Sequence, residues 1–484
     1  MWKHVRNIML IFVALGLIGV WYITRPDVAQ LPLDAVTGPA PQITAGREQI
    51  FPTIAVADVD RWKTGEAPVV APGLVVERFA EGLDHPRNLY TLPNGDILVA
   101  ETNSPPRKMG GVEGFVMKWL MGKAGADVPS ANRITLLRDA NGDGKAELKT
   151  PFLTGLNSPF GMVLIGEKLY VANTNGLLVF PYKTGDTKIT AKGKELTKFN
   201  ARAPNNHWTR NLAASPDGKK IYISVGSNSN IGENGLDTER GRAQVIELDL
   251  ATGKSGAYSS GLRNPVGLDW DSKGQLWTVV NERDMLGSDL VPDYLTNVPF
   301  GANYGWPWIY WKRNIDWRVD APMPQYLMEY VRKPEYGLGA HVAPLGLAFA
   351  KQGNRMGAKF ASGAFVARHG SWNRRPLAGY DVVFVGFDQR GNVLKQPPLP
   401  VLTGFLNADE EARGRPTWVA FAKDGALLVS DDTGGVIWRV TAPGAQPAAA
   451  PVVLPKRVAP PQPKGTGRFI MKPNADSDLM KPKD

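Results

Sequence analysis

The chain of 484 residues has no cysteine and a formal net charge of +10. The first fact excludes disulfides, thiolate metal sites, iron–sulfur clusters and a cysteine nucleophile; the second comes without the aromatic-studded basic stripe of a nucleic-acid groove, so no nucleic-acid partner is expected. With 52 glycines and 39 prolines, the composition favours many turns and few long helices, as in an all-β protein.

Residues 1–25, "MWKHVRNIMLIFVALGLIGVWYITR", place Lys3 and Arg6 before an uncharged run from Asn7 to Thr24. That length and charge order predict a signal anchor or transmembrane helix with its amino terminus inside. No small-residue cleavage site follows Ile23, so an uncleaved anchor is expected rather than a cleaved signal peptide. Either form puts the body of the chain outside the inner membrane, on its periplasmic side. Residues 26–75, rich in Pro, Ala and Gly, read as a linker and lead-in segment. Residues 441–484, with "APGAQPAAAPVVLPKRVAPPQPKG", read as a Pro/Ala-rich flexible tail.

Between these ends the sequence repeats itself. "GLDHPRNLYTLPNGDILVAETN" from 82, "GLNSPFGMVLIGEKLYVANTNG" from 155, "HWTRNLAASPDGKKIYISVGSN" from 207, "GLRNPVGLDWDSKGQLWTVVNERD" from 261 and "GRPTWVAFAKDGALLVSDDTGG" from 414 share one pattern. Each is a polar loop, a short apolar strand, a glycine-bearing turn and an alternating strand ending in polar residues. A diverged copy begins at His341. Six units at this spacing predict a six-bladed β-propeller over residues 76–440, because a four-stranded sheet hides its faces only by stacking on neighbours around an axis.

The loop that opens each repeat faces one end of the channel, so its polar residues are expected to converge. His207 heads the third repeat. Asn157, Arg263, Asn264, Arg413 and Arg415 stand in equivalent loops, and Asn228, Arg283, Asp284, Arg368, His369 and Asp432 at strand ends on the same rim. Several arginines around a concave site suit a polyanionic ligand, since guanidinium binds carboxylates in pairs. An imidazole beside them supplies a base that titrates near neutrality. "DANGDGKAE" from Asp139 resembles the start of a calcium loop, but position 12 is Thr150 instead of Glu, so it reads as a hairpin turn. The aromatic run "NYGWPWIYW" from Asn303 reads as core between blades.

The strings from His207, Gly261 and Gly414, together with "GANYGWPW" from Gly301, resemble the glucose/sorbosone dehydrogenase family. Its members are quinoprotein propellers that oxidise sugars with pyrroloquinoline quinone, and the pattern is nearest to the sorbosone dehydrogenase branch over about residues 75–440. The resemblance implies that His207 takes a hydroxyl proton from an aldose or a hydrated sugar aldehyde while hydride passes to the quinone. It implies a cofactor set of Asn157, Asn228, Arg263, Asn264, Arg368, Arg413, Arg415 and Asp432, with calcium held by backbone carbonyls at Arg283 and Asp284. It also implies a membrane quinone or a cytochrome as electron acceptor. The chain departs from the family at Asn206, where Asp precedes the base, and at "RDM" (283–285), where the calcium loop reads Gln-Gly-Pro. Arg368 or Arg374 stands for the family's cofactor lysine. Two alternatives belong to other classes: a metal-dependent lactonase, which needs carboxylates and asparagines around a cation, and a non-catalytic propeller binding a glycan or protein.

Overall fold

Each of the six repeats becomes one antiparallel sheet around a common axis. The structure, a computed structural model, describes residues 2–49, 52–106 and 111–449. The innermost strands are Pro86–Thr91, Met162–Ile165, Arg210–Ala214, Asn264–Trp270, Pro344–Phe349 and Pro416–Phe421. Each meets the next, and the sixth meets the first. From each, two further strands run outward in sequence order, and a fourth completes the blade.

The sixth blade is built from both ends of the body. Its outer strand, Val75–Glu81, pairs antiparallel with Val436–Thr441, from Val75 opposite Thr441 to Glu81 opposite Val436. The segment expected as a linker is laid onto the propeller as well. Thr37–Gly38 adds a fifth strand to blade 4 beside Tyr336–Ala340, and Val69–Val70 adds one to blade 5 beside Leu399–Thr403. Of the predicted tail, residues 450–484 lie outside the described residues.

Close approach of inner strands explains two glycines. A Cβ on Gly346 would lie 2.6 Å from the Trp418 Cα, and one on Gly267 would lie 2.7 Å from the Leu345 carbonyl oxygen. Pro86, Pro265, Pro344 and Pro416 stand at register shifts near the starts of their strands, where a missing N–H costs no ladder bond and a bulge turns the chain.

One apolar residue from each blade fills the axis: Leu89, Phe160, Trp208, Val266, Leu345 and Trp418 belong to a single buried cluster. The Phe160 ring meets Trp208 and Trp418 edge-on, with centroids 6.2 and 5.3 Å away. This plug separates a lower cavity of about 370 Å³ between the inner strands from the upper end, where the repeat-opening loops gather. The aromatic run from Asn303 is core as expected, with Tyr304, Tyr310 and Trp311 buried in one cluster. The helix α1, Trp2–Thr24, has no buried residue from His4 to Trp21, and is long and apolar enough to cross a membrane.

Replacing Gly346 by Ala should cost about 1–3 kcal/mol through overpacking at the axis, whereas Gly256→Ala, on an outer strand with open space around its Cα, should be nearly neutral. Thermal melts of the two variants check this.

Candidate active site

The upper end holds a cavity of about 510 Å³ lined by His207, Arg263, Glu282, Asp284, Asp293, His341 and the asparagines 206, 230, 281 and 373, with Met121, Met285 and Trp372 at its apolar side. His207 is fixed within it. Its Nδ1 sits 2.9 Å from both the carbonyl oxygen and the Oγ of Ser227. The Ser227 hydroxyl donates to the Ser229 carbonyl at 2.6 Å. A carbonyl has no proton to give, so Nδ1 carries one and Nε2 keeps its lone pair. Burial pushes this imidazole well below its usual value, and the cationic Arg263 adds to the effect. Neutral His207 is therefore the form at neutral pH. Arg242 braces the loop from behind, donating to the carbonyls of His207 and Ser227.

A second charged group lies across the cavity. The Asp284 carboxylate accepts Arg263 Nη2 at 2.7 Å and Asn373 Nδ2 at 2.7 Å, and stands 3.6 Å from His341 Nδ1. Burial would raise this carboxyl, but Arg263 and His341 outweigh it and hold it well below the usual range. His341 donates from Nε2 to the Gly287 carbonyl at 3.0 Å. Burial opposes its protonation, yet Asp284 and then Asp293 raise it. Burial pushes Asp293 itself up to about 7. Met285, His341 and Ala343 hold left-handed backbone, with φ of 70, 60 and 52°, a conformation that is costly for non-glycine residues and concentrates at functional sites.

The remaining arginines of the rim divide by environment. Arg87 and Arg415 act on one another near Asp432, while Arg413 lies over the Trp62 ring: Arg87 pairs with Asp432 at 3.2 Å, and His369 Nε2 lies 2.9 Å from the same carboxylate oxygen. Burial would raise Asp432, but His369 and Arg87 hold it far below the ordinary carboxylate range. Arg87 also lies over the ring of Trp208, the residue after the base, and Arg415 over that of Tyr380. In Arg87, Arg413 and Arg415 the buried Nε has no hydrogen-bond partner. Orphaned donors on three cations fit a polyanionic ligand.

Four expectations are corrected by the geometry. Arg368 grips Asp381 with both ends of its guanidinium and donates to the Leu338 carbonyl at 2.8 Å, so it clamps blades 4 and 5 together instead of facing the cavity. Asn228 is fully buried under the His207 loop, bonded to the Asn205 and Asn206 backbone. Asn157 is exposed, away from the cavity lining. The calcium site expected at the Arg283 and Asp284 carbonyls is disfavoured at Asp284, whose oxygen accepts Arg318 at 2.9 Å and Asn230 at 3.2 Å, while the next carbonyl, Met285, accepts Arg318 at 3.1 Å. A guanidinium already stands where a cation would be drawn. The Arg283 side chain is wholly buried on Glu282, Asp316 and loop carbonyls.

Arg263 lines the cavity as expected, but its donors are engaged by Asn230, Asn281, Glu282 and Asp284. Its charge, and its grip on Asp284, are what it contributes. Asn264 packs beside the base, its Oδ1 unpartnered and its Nδ2 3.3 Å from Asn281 Oδ1. Sequence reasoning did not single out Asn230, Asp293, Asn373 or Arg318. His341 had a readable signal, since it opens its repeat as His207 opens another. In the Asp139 turn, Glu147 joins Asp139 and Asp143 within 4.8 Å, a carboxylate that the twelve-residue pattern overlooked; backbone N–H groups occupy oxygens of all three.

Comparison with known proteins agrees with this architecture. The family model described as TrAA12-like matches residues 68–297 and 327–443. An uncharacterized protein of Borreliella burgdorferi is 28% identical over 297 residues, 59% of this chain and 76% of its own length. A pyrroloquinoline quinone-dependent pyranose dehydrogenase of Coprinopsis cinerea is 27% identical over 305 residues, half of this chain but only 41% of that enzyme. A solved structure of a Trichoderma reesei carbohydrate-active enzyme of family AA12 superposes with a TM-score of 0.62 at 19% identity, covering 78% of this chain and 98% of that one. That likeness shows the fold.

Arg318 binds the buried Asp316 through two nitrogens, at 2.8 and 2.7 Å. Because Arg283 still pairs with Asp316, Arg318→Ala should destabilise the protein by about 1.5–3 kcal/mol, while Arg240→Ala, which breaks an exposed pair with Asp237, should cost about 1 kcal/mol or less. Denaturant titrations separate the two.

Proposed function

The chain belongs to the TrAA12-like family, and from that premise we propose that it is an oxidoreductase that oxidises an aldose or a sorbosone-like sugar aldehyde with pyrroloquinoline quinone. The observation that carries the reading is the fixed tautomer of His207, whose unprotonated Nε2 is the free ring nitrogen at the cavity. The curated relative of Coprinopsis cinerea supports the cofactor.

Pyrroloquinoline quinone, when bound, supplies a two-electron acceptor. Arg87, Arg413 and Arg415 would hold its carboxylates, which suit their orphaned Nε donors. His207 Nε2 accepts the proton of the reacting hydroxyl, which in an aldehyde substrate belongs to the hydrate or the cyclic hemiacetal. The Ser227 carbonyl keeps Nδ1 protonated throughout and gains strength as a partner when the ring becomes cationic. Burial, and then the charge of Arg263, keeps the base neutral beforehand, and Asp284 balances charge across the cavity. Asn373, whose Nδ2 holds Asp284, leaves its Oδ1 as an acceptor for a sugar hydroxyl. The electron acceptor is proposed to be a membrane quinone or a cytochrome, on the periplasmic side.

A second reading, a metal-dependent hydrolase such as a lactonase, draws on Glu282, Asp284 and Asp293 in the cavity wall. Against it, Asp284 is engaged by Arg263 and Asn373. Among the described residues the one trio of carboxylates with convergent ligand atoms is the surface group at Asp139.

Titration of the purified protein with pyrroloquinoline quinone, followed by dye reduction with a panel of aldoses and sorbosone, should give saturable binding and sugar-dependent turnover. His207→Ala should keep binding and lose turnover by about 10²–10⁴-fold. Absence of quinone binding would overturn the proposal. Because the folded His207 stays neutral well below 6.5, the acid limb of kcat/KM should lie well below pH 6.5; a limb at or above 6.5 would contradict the assigned base.

A further inference from the structure

The membrane helix is joined to the cavity end of the propeller with almost no slack. Helix α1 ends at Thr24. Asp27 is already fixed on the body: its backbone N–H donates to Thr53 Oγ1 at 2.9 Å, and its carboxylate accepts the Ser288 N–H at 2.6 Å and Arg47 at 3.0 Å. Two residues on, the Ala29 N–H donates to the Arg375 carbonyl at 2.8 Å, and Gln30 and Leu31 donate to Asp289. Three residue steps span at most about 11 Å, whatever direction the helix takes. Gly287 and Ser288 belong to the loop that carries Glu282, Asp284 and Met285 into the cavity, and Gly287 receives the His341 hydrogen bond. The membrane surface, where α1 emerges, therefore lies within a short reach of the cavity rim.

The same rim presents a second feature that suits a bilayer. Helix α2, Gly111–Lys123, is inserted between the second and third strands of blade 1. Leu120 is buried and Met121 lines the cavity, but Phe115 and Trp119, one turn apart, are 75% and 56% exposed. Lys118 is exposed beside them, and Lys123 Nζ lies 5.1 Å from the Trp119 ring centre. Trp372, which also lines the cavity, is 40% exposed, and Arg375, three residues on, is exposed. Large aromatics flanked by Lys and Arg are the residues that settle at the headgroup level of a membrane.

We infer that the propeller rests on the bilayer by its cavity face, with Phe115 and Trp119 of α2 in the interfacial layer, so that the mouth of the site opens at the membrane surface. The partner is the lipid surface in which α1 is anchored. The inference stands on the tether and on α2, and is independent of the reaction proposed above. It gives the site access to molecules partitioned into the bilayer, and turns the lower cavity and the turns around Lys219 toward the aqueous side.

The absence of native cysteine makes the test direct. Trp119→Cys, Phe115→Cys and Lys219→Cys forms of the full chain each take a single environment-sensitive fluorophore and are reconstituted into vesicles of phosphatidylethanolamine with phosphatidylglycerol. Lipids carrying spin labels near the headgroup should quench the probes at 115 and 119 several-fold more than the probe at 219, and a Leu15→Cys probe should be quenched by labels deep in the acyl chain. Equal, weak quenching at 119 and 219 beside a quenched probe at 15 would overturn the inference. So would mass spectrometry showing that the protein isolated from membranes begins after residue 25.

Discussion

Everything at the upper end of this propeller depends on the pairing of Val75–Glu81 with Val436–Thr441. Five blades are continuous in sequence apart from two added edge strands, and a ring of twisted sheets closes only if the last is completed by the first segment of the chain. Closure brings Trp418 of the sixth blade against Phe160 of the second, and so completes the axial plug. It also fixes Asp431, which accepts hydrogen bonds from Trp62 Nε1, the Arg415 N–H and the Gly434 N–H. Burial pushes that carboxyl up to about 6, yet its partners come from the lead-in segment and from the loop bearing the cationic group. The strand that shuts the ring thus also positions part of the site.

Arginine performs distinct tasks here, and burial with local partners decides which. Arg283 is enclosed by Glu282 and Asp316 and holds the loop around Trp306–Asp316 to blade 4. Arg368 meets an opposed carboxylate across its own sheet and becomes a clamp. Arg263 is saturated by neighbours and acts by field, lowering His207 and Asp284 together. Arg87, Arg413 and Arg415, in the loops of blades 1 and 6, each keep a buried Nε–H without an acceptor, as grasping an external anion requires. One residue type read from sequence gave a correct sense of the charge at this end, but not of its distribution.

The fold was legible because its signal is repeated: six loop–strand–turn–strand strings locate all six inner strands, and the core role of the aromatic run from Asn303 follows from its apolar length. The place of His207 was legible for the same reason, as the head of a repeat. Two kinds of feature were not. Side-chain partners such as Asp381 for Arg368, or Arg318 for the Asp284 carbonyl, lie on other strands and loops, so spacing along the chain says nothing of them. The lead-in from Asp27 to Val70 has neither period nor apolar run, and it folds by edge pairing and by single hydrogen bonds to loops hundreds of residues away.

The proposed chemistry depends on one protonation state of His207. Nitrogen-15 NMR of the histidine-labelled chain, with the resonance of His207 assigned by its loss in His207→Gln, reads the proton on each ring nitrogen directly. The geometry requires a neutral ring protonated at Nδ1 and bare at Nε2, and burial keeps it neutral well below pH 6.5. A ring protonated at Nε2, or an imidazolium at neutral pH, would remove the base from the site and with it the proposed chemistry.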